Sequence, residues 1–420
     1  MSEFKYYPDD IEVVKIAIVS LDGTMKGISP QVLAMRIQED ILTPYVFIEV
    51  DIADGIGLLQ QFPIRGEEQL EIELRMPRTN ASLKYKFATF SVVNLSVNAK
   101  NNTSFYTIKG TSEEVLVNAS SIIGKAYKDT YSNVVRDIIT SKLKTTKKVD
   151  AQTTLGSHEI VIPSMKPFHA IDMIRKRAVT TKAQYAPMVF FETNEGYVFK
   201  DMVSLYEEGV AVASKSQLTY SYTNVLMSDS TQAGTIISFT TSEKRDSFSQ
   251  LNNGAFNNKI TTYDIITKTH KTYDFDYQSK KSQFKMYNDK NSHSDAFISK
   301  YGSSMARTYM IPVDSTKPEY FVDKVGDKQS YANIIFQNFS RVELNGNPAH
   351  KILQAGSVIY LALSNESVVY DRANNEPPLD RETSGYYLIK KLIHEVILTS
   401  GIPMYRISCD LISGSVLERT

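Results

Sequence analysis

Apolar and polar residues alternate along much of the first hundred positions. In 67–77, EEQLEIELRMP, Leu70, Ile72, Leu74 and Met76 fall on one side, and Glu71, Glu73 and Arg75 on the other. This period of two marks a strand with one face buried. The segments 45–52 (YVFIEVDI), 85–97 (YKFATFSVVNLSV) and 104–109 (SFYTIK) repeat it and are rich in Val, Phe, Tyr and Thr. Short strands separated by turn residues predict an antiparallel barrel or sandwich over 1–112.

After Gly110 the period changes. In 132–143, Val134, Val135, Ile138, Ile139 and Leu143 stand at helical spacing behind Ser132, a candidate N-cap. A second helix is predicted over 167–179: Pro167 suits a first helical position, and Phe168, Ile171, Ile174 and Ala178 form its stripe. Strand-like pieces follow at 187–193 and 196–200, joined by Asn194-Glu195, so 113–217 reads as an α+β domain. Strands return at 234–241, 340–344, 357–363, 386–397 and 404–412. They predict a second barrel, discontinuous over 218–253 and 335–420, with 254–334 inserted. Within that insert, 278–303 reads as exposed loop with a short helix. The fold class is therefore mainly β with α+β insertions: two related antiparallel barrel or sandwich domains and two smaller α+β domains.

The two β regions share a pattern. The first has Ile64, Gly66, Leu70-x-Ile72-x-Leu74 and Tyr106-x-Ile108. The second has Leu353, Gly356, Ile359-x-Leu361-x-Leu363 and Tyr405-x-Ile407. The extra length of the second falls in the polar loop 364–385. We read this as an internal duplication.

At 420 residues the chain exceeds one typical core. Lys+Arg and Asp+Glu both number 47, so net charge is zero. A protein that grips nucleic acid carries a basic excess, so no sequence-specific nucleic-acid binding is expected. Zero net charge does little to oppose self-association, which suits a subunit of an assembly. The single cysteine, Cys409, excludes an internal disulfide and a cysteine-cluster metal site. No signal peptide or apolar run of membrane-spanning length is apparent, and a soluble protein of a reducing cytoplasm is expected.

Tests for chemistry return little. No two of the histidines at 158, 169, 270, 293, 350 and 394 form an i, i+4 pair. Residues 289–300 begin like a calcium loop with Asp289, Asn291 and His293, but Ser294 replaces the required Gly and Lys300 the closing Glu. Gly55 and Gly57 in 54–60 lack a third Gly, Gln60 standing there, and the segment reads as a turn. Cys409 lies in a strand pattern and reads as buried. In 259–277, KITTYDIITKTHKTYDFDY, Asp274 and Asp276 share one strand face about 7 Å apart, a separation some glycosidases use. Asp264 falls on the other arm of the same predicted hairpin, and Tyr273, Phe275 and Tyr277 alternate with the acids, which favours scaffolding. No catalytic, cofactor-binding or metal residue is assigned, and no cofactor is expected.

Several stretches, in order, resemble one family. The run 252–277, NNGAFNNKITTYDIITKTHKTYDFDY, is similar to a signature of the central baseplate hub proteins of contractile-tailed, T-even-like bacteriophages. Residues 105–139 resemble that family's crossing from first to second domain. Residues 160–200 resemble its IP-x-x-x-PF-x-AI helix and FFET-x-x-GY-x-F hairpin, and 384–414 its closing hairpin of type GxYLIxxxxH. Residues 278–330 match no part of it.

The resemblance implies a non-enzymatic homotrimeric ring in the virion tail baseplate, assembled in the host bacterial cytoplasm. Two tube-like domains per chain would give three copies a near-sixfold surface, adapting a sixfold tail tube to a threefold spike around a channel for the genome. Implied partners are the trimeric central spike, lysozyme-bearing in some relatives; tail tube or tube-initiator proteins; and neighbouring baseplate wedge proteins. Glu71, Glu73, Asp274 and Asp276 are candidates for an acidic channel lining. The alternatives are a cell-wall hydrolase using Asp274 and Asp276, and a host-binding adhesin.

Overall fold

The computed structural model describes residues 11–62, 64–77, 81–98, 103–216, 219–222, 235–243, 246–303, 307–313, 322–337, 339–345, 353–363, 379–398 and 403–417. The alternating segments form one 13-stranded sheet. Its strands are β1 (Glu12–Val19), β2 (Met25–Gly27), β3 (Val32–Asp40), β4 (Phe47–Asp54), β5 (Gln69–Met76), β6 (Ala81–Asn98) and β7 (Thr103–Thr111), then β8 (Thr219–Tyr222), β9 (Thr235–Glu243), β10 (Phe339–Asn345), β11 (Val358–Leu363), β12 (Gly385–Ile397) and β13 (Met404–Ile412).

The same strand order occurs twice. The first half runs β1-β5-β6-β7-β4-β3 and the second β8-β11-β12-β13-β10-β9. The residue pairing repeats as well. Gln69 pairs with Ala88 and Ala88 with Thr111; Val358 pairs with Leu388 and Leu388 with Ile412. Each long strand then bulges at the same place, Thr89/Ser91 in β6 and Ile389/Lys391 in β12. A second matched bulge lies at Val32/Ala34 in β3 and Ile236/Ser238 in β9. Bulges re-aim strands at defined positions, so coincidence of two bulges, order and register is the signature of one unit used twice.

This pairing corrects one detail of the sequence repeat. It matches Leu70, Ile72 and Leu74 with Ile359, Leu361 and Leu363 as expected. In the last strand it sets Tyr106 against Ile407 and Ile108 against Cys409, two residues from the match of the sequence pattern. An even slip preserves the buried face, so alternation alone could not detect it. The halves differ at their first strand: β1 is antiparallel to β5, whereas β8 is parallel to β11.

One apolar core underlies both halves. Met35 and Ile37 of β3 and Leu392 and Val396 of β12 are all inaccessible and belong to it. Residues 113–216 supply helices and a hairpin. The helix Tyr131–Asp137 is capped by Thr130, whose side chain accepts from Asn133 N, while the expected cap Ser132 is buried against Thr154. The helix Pro167–Arg177 and the hairpin Met188–Thr193/Gly196–Asp201 pack with it around Val135, Ile139, Ile171 and Phe199. Residues 257–264 and 270–276 form the predicted hairpin, extended by Arg307–Val313 in parallel.

Two expectations fail. Segment 278–303 is not simply exposed: Phe284, Tyr287, Ser292, His293 and Ile298 are buried, because its aromatics insert singly into a cluster with Phe256, Tyr277 and Tyr331. Two longer helices, Met202–Ser216 and Val325–Ile335, were not foreseen. Residues 1–10, His350 and most of the polar loop 364–385 lie outside the described residues.

Candidate assembly interface

The two halves meet where β3 pairs antiparallel with β12. Seven residue pairs, Ala34↔Ile397 through Asp40↔Lys391, form the joint. On the side facing away from the core, Arg36 donates from Nη1 to Asp51 at 3.1 Å and from Nε to Glu395 at 3.0 Å, tying the halves together. Lys109–Glu49 and Arg341–Asp410 occupy the same face.

On the core side the joint carries two titratable groups with no access to solvent. Glu39 Oε1 accepts from the Tyr85 hydroxyl and from Asn194 N, each at 2.9 Å, and Oε2 accepts from Ala355 N at 3.0 Å. One carboxylate thus collects donors from β6, from the 188–201 hairpin and from the turn before β11. Burial nevertheless lifts Glu39 to about 7, outweighing the three donors. His394 Nδ1 lies 2.7 Å from the Tyr405 hydroxyl, and burial depresses the imidazole to about 3.

The duplicated register identifies two strand edges that lack a neighbour among the described residues. In β12 one edge pairs with β13, and the other pairs first with β11 and then, over 391–397, with β3. In β6 one edge pairs with β7 and the other with β5 over 81–88; beyond that it carries no strand among the described residues. β9 is the counterpart of β3. Among the described residues its edge opposite β10 is met by β8 only at Ser221↔Thr235. Both open edges carry one residue more than their counterparts. β6 has an irregularity between Val93 and Ser96 that β12 lacks, and β9 has one between Thr241 and Glu243 that β3 lacks. Transferring the β3–β12 register onto β9 and β6 sets Val93 opposite Glu243 and Ser96 opposite Thr240. The two extra residues then face each other, and an unbroken antiparallel ladder runs from Val93/Glu243 to Asn98/Ser238. Leu95 (59% exposed) and Val97 (64%) lie on this open edge, whereas Val396, the β12 residue that Val97 matches, is fully buried.

The sequence candidates for chemistry have structural duties. Asp276 caps the short helix Tyr277–Lys280 by accepting from Ser279 N at 3.0 Å, and Asp274 faces Lys259 at 3.7 Å. Asp264 accepts from Ile266 N and Thr267 N within the hairpin turn. Glu71 bridges Lys15 and Lys86, and Glu73 meets Lys84, on β5. The calcium-like loop is used otherwise. Asn291 accepts from His293 N, Ser294 caps the helix Asp295–Tyr301, and Lys290–Asn291 pair with Ser415–Val416. Among the described residues no three potential ligands gather into a metal site, and no helix is long and apolar enough to cross a membrane. Asp54 organises the 54–60 turn by accepting from Ile56 N and Leu59 N. Cys409 is buried and its thiol pushed well up by desolvation. His158 stacks on Tyr131, and His169 and His270 are exposed. Sequence reasoning missed the open edges, because a bulge is a property of pairing and leaves no mark in one strand.

No protein-family model matches the chain, and no curated protein is similar to it in sequence. Solved structures do share its fold. The tail protein from Neisseria meningitidis MC58 superposes with a TM-score of 0.57 at 10% identity, covering 95% of this chain and 96% of that one. The 43 kDa tail protein of prophage MuSo2 from Shewanella oneidensis gives 0.54 at 10% identity, with 95% and 98% covered. Over nearly its whole length, the mainly antiparallel chain has the fold of phage tail proteins.

Proposed function

We propose that the chain is the structural hub of a phage tail baseplate, in which three copies close into a ring through the open edges of β6 and β9. The observation that carries this reading is the pair of compensating extra residues. An extra residue in one strand spoils pairing with a regular partner; extra residues at matched positions of two open edges restore it. Within one chain β3 joins β12. Between chains β9 of one copy joins β6 of the next, so each ring alternates an internal joint with an external one. Heterologous contacts of this kind close when the rotation per subunit divides a full turn. Two units per chain and three chains give six near-equivalent positions.

On this reading 1–112 and 218–253 with 335–420 are the tube-like units, and 113–217 and 254–334 are peripheral domains that meet neighbouring baseplate proteins. One end of the ring docks on the tail tube or its initiator and the other on a trimeric spike. The face shared across the β3–β12 joint lines the channel. It sets Arg36, Lys109, Arg341, Lys391 and Arg406 against Asp40, Glu49, Asp51, Glu343, Glu395 and Asp410, a near-neutral surface that would not hold a passing polyanion. The protein acts without catalysis, since Asp274 and Asp276 serve the hairpin that carries them.

Cysteine cross-linking tests the ladder. Val97 and Phe239 are opposite in the transferred register, and opposite residues lie within disulfide reach. The Val97→Cys/Phe239→Cys chain is expected to yield covalent trimers of three times 47.3 kDa under mild oxidation. Val97→Cys/Thr240→Cys, one residue out and pointing to the other face, is expected to yield none. Equal cross-linking of both pairs, or a monomer by sizing with the spike present, overturns the reading.

A further inference from the structure

A cleft of about 1180 Å³ opens between the helix Pro167–Arg177 and the region of the hairpin 257–276 and the helix Val325–Ile335. This exceeds the usual size of small-molecule pockets and matches a peptide better. Four methionines line it, Met165, Met173, Met188 and Met202. Unbranched, polarisable thioethers suit a surface that receives a helix. Ile265 and Ile266 at the hairpin tip stand over the opening, 65% and 62% exposed. Two adjacent isoleucines at a turn are costly to leave in water.

The charge of the cleft is one-sided in a chain of zero net charge. Among the described residues Arg175, Lys176 and Lys328 line it with one carboxylate, Asp172. Asp172 is engaged by both Arg175 and Lys176. Lys328 is buried; its ammonium donates to the carbonyl oxygens of Lys176 and Ala178, and the Asp323 carboxylate attracts it from farther off. A buried ammonium whose direct hydrogen bonds all go to neutral carbonyls favours an incoming anion.

We propose that this cleft docks an acidic amphipathic helix of a partner protein, with its apolar stripe on the methionine wall and its carboxylates toward Lys176 and Lys328. The proposal does not depend on ring closure, and the chain alone tests it. Two rhodamine-labelled synthetic peptides of about 14 residues would share one leucine stripe, one carrying Glu and the other Lys on the flanking positions. Anisotropy titration is expected to show the Glu peptide binding at least about tenfold tighter. Ile266→Ser, at an exposed tip, is expected to weaken it by about tenfold, and Lys176→Glu to abolish the preference. Equal binding of the two peptides, binding of neither at roughly 100 μM, or unchanged affinity in both variants overturns the proposal.

Discussion

Replacing Glu39 by Gln isolates the ionisation of one carboxyl at the joint of the two halves. Burial raises the carboxyl from 4.5 to about 7 in the folded chain. That gap corresponds to about 3 kcal/mol at 1.36 kcal/mol per pH unit. Because the folded value is the higher, the native state holds a proton between pH 4.5 and 7 that the unfolded chain releases. The contribution of Glu39 is therefore fully present below pH 4.5 and is lost as pH rises through 7. The Glu39→Gln side chain cannot titrate, but its amide leaves one of the Asn194 or Ala355 N–H groups facing another donor, a cost of about 1–3 kcal/mol that is the same at every pH. The informative quantity is thus the change with pH of the difference between the two proteins. At about 2.1 cal/mol/K per residue over 420 residues unfolding together, 3 kcal/mol is a Tm difference of roughly 3–4 °C. Melting both proteins at pH 4.5, 5.5, 6.5 and 8 should show the Glu39→Gln variant gaining on the native chain by that amount. His394 works in the opposite sense, since its depressed value makes stability fall as pH drops from 6.5 toward 3. The native curve alone therefore mixes two trends. Parallel curves for the native chain and the Glu39→Gln variant, within about 1 °C, would show that the three donors hold the carboxylate ionised and would refute the reasoning.

Val97→Asp should leave the circular dichroism and Tm of the free chain within experimental error, since Val97 is 64% exposed, yet abolish trimer formation by sizing. Gly356→Val should lower Tm strongly: φ is +81° there, and an added Cβ would stand 2.9 Å from the Phe191 ring, so a loss above about 2 kcal/mol is expected in urea titration. Arg36→Ala should cost less than about 1 kcal/mol and vanish in 1 M salt, because the guanidinium is 42% exposed and its pairs with Asp51 and Glu395 are screened.

Strands were legible where one face is buried. Leu70-x-Ile72-x-Leu74 alternates because β5 lies between a core and water, and its solvent side keeps Glu71, Glu73 and Arg75 in ion pairs. The helix Pro167–Arg177 was legible for the same reason, with a buried stripe and a wet side. The helix Met202–Ser216 was not. Met202, Val203, Ser204, Leu205 and Tyr206 are all buried in succession, so no polar face interrupts its start, and Gly209 sits in its middle against Val358. The helix Val325–Ile335 hides through its composition: it opens with Gly326, Asp327 and Lys328, all buried, and Asp327 is paired with Lys280. Of the candidate interface, Leu95 and Val97 were visible only as strand residues. That they lack a strand neighbour among the described residues follows from comparing β6 with β12.

The two joints of the proposed ring differ in chemistry, and the difference has a physical reason. The internal joint forms once, during folding, when its strands are tethered; it includes the charged bridge Arg36–Glu395 and the buried Glu39. At the external joint the corresponding positions are Thr240 and Ser96 on the outer face. Leu95 and Val97 must wait in water until a second copy arrives. An open apolar edge invites pairing with any strand. The extra residues at Val93/Ser96 and at Thr241/Glu243 limit this, because a regular strand laid on either edge would lose register halfway and turn its remaining side chains to the wrong face. Only an edge with its own extra residue at the matching place completes the ladder, and β9 of another copy supplies one. Deleting Leu95 should therefore impair ring closure, deleting Ser242 should do the same, and the double deletion should restore it, since both edges would then be regular. Sizing of the three variants measures this directly. A double deletion no better than either single one would mean that the two irregularities never face each other, and that β6 and β9 meet different partners.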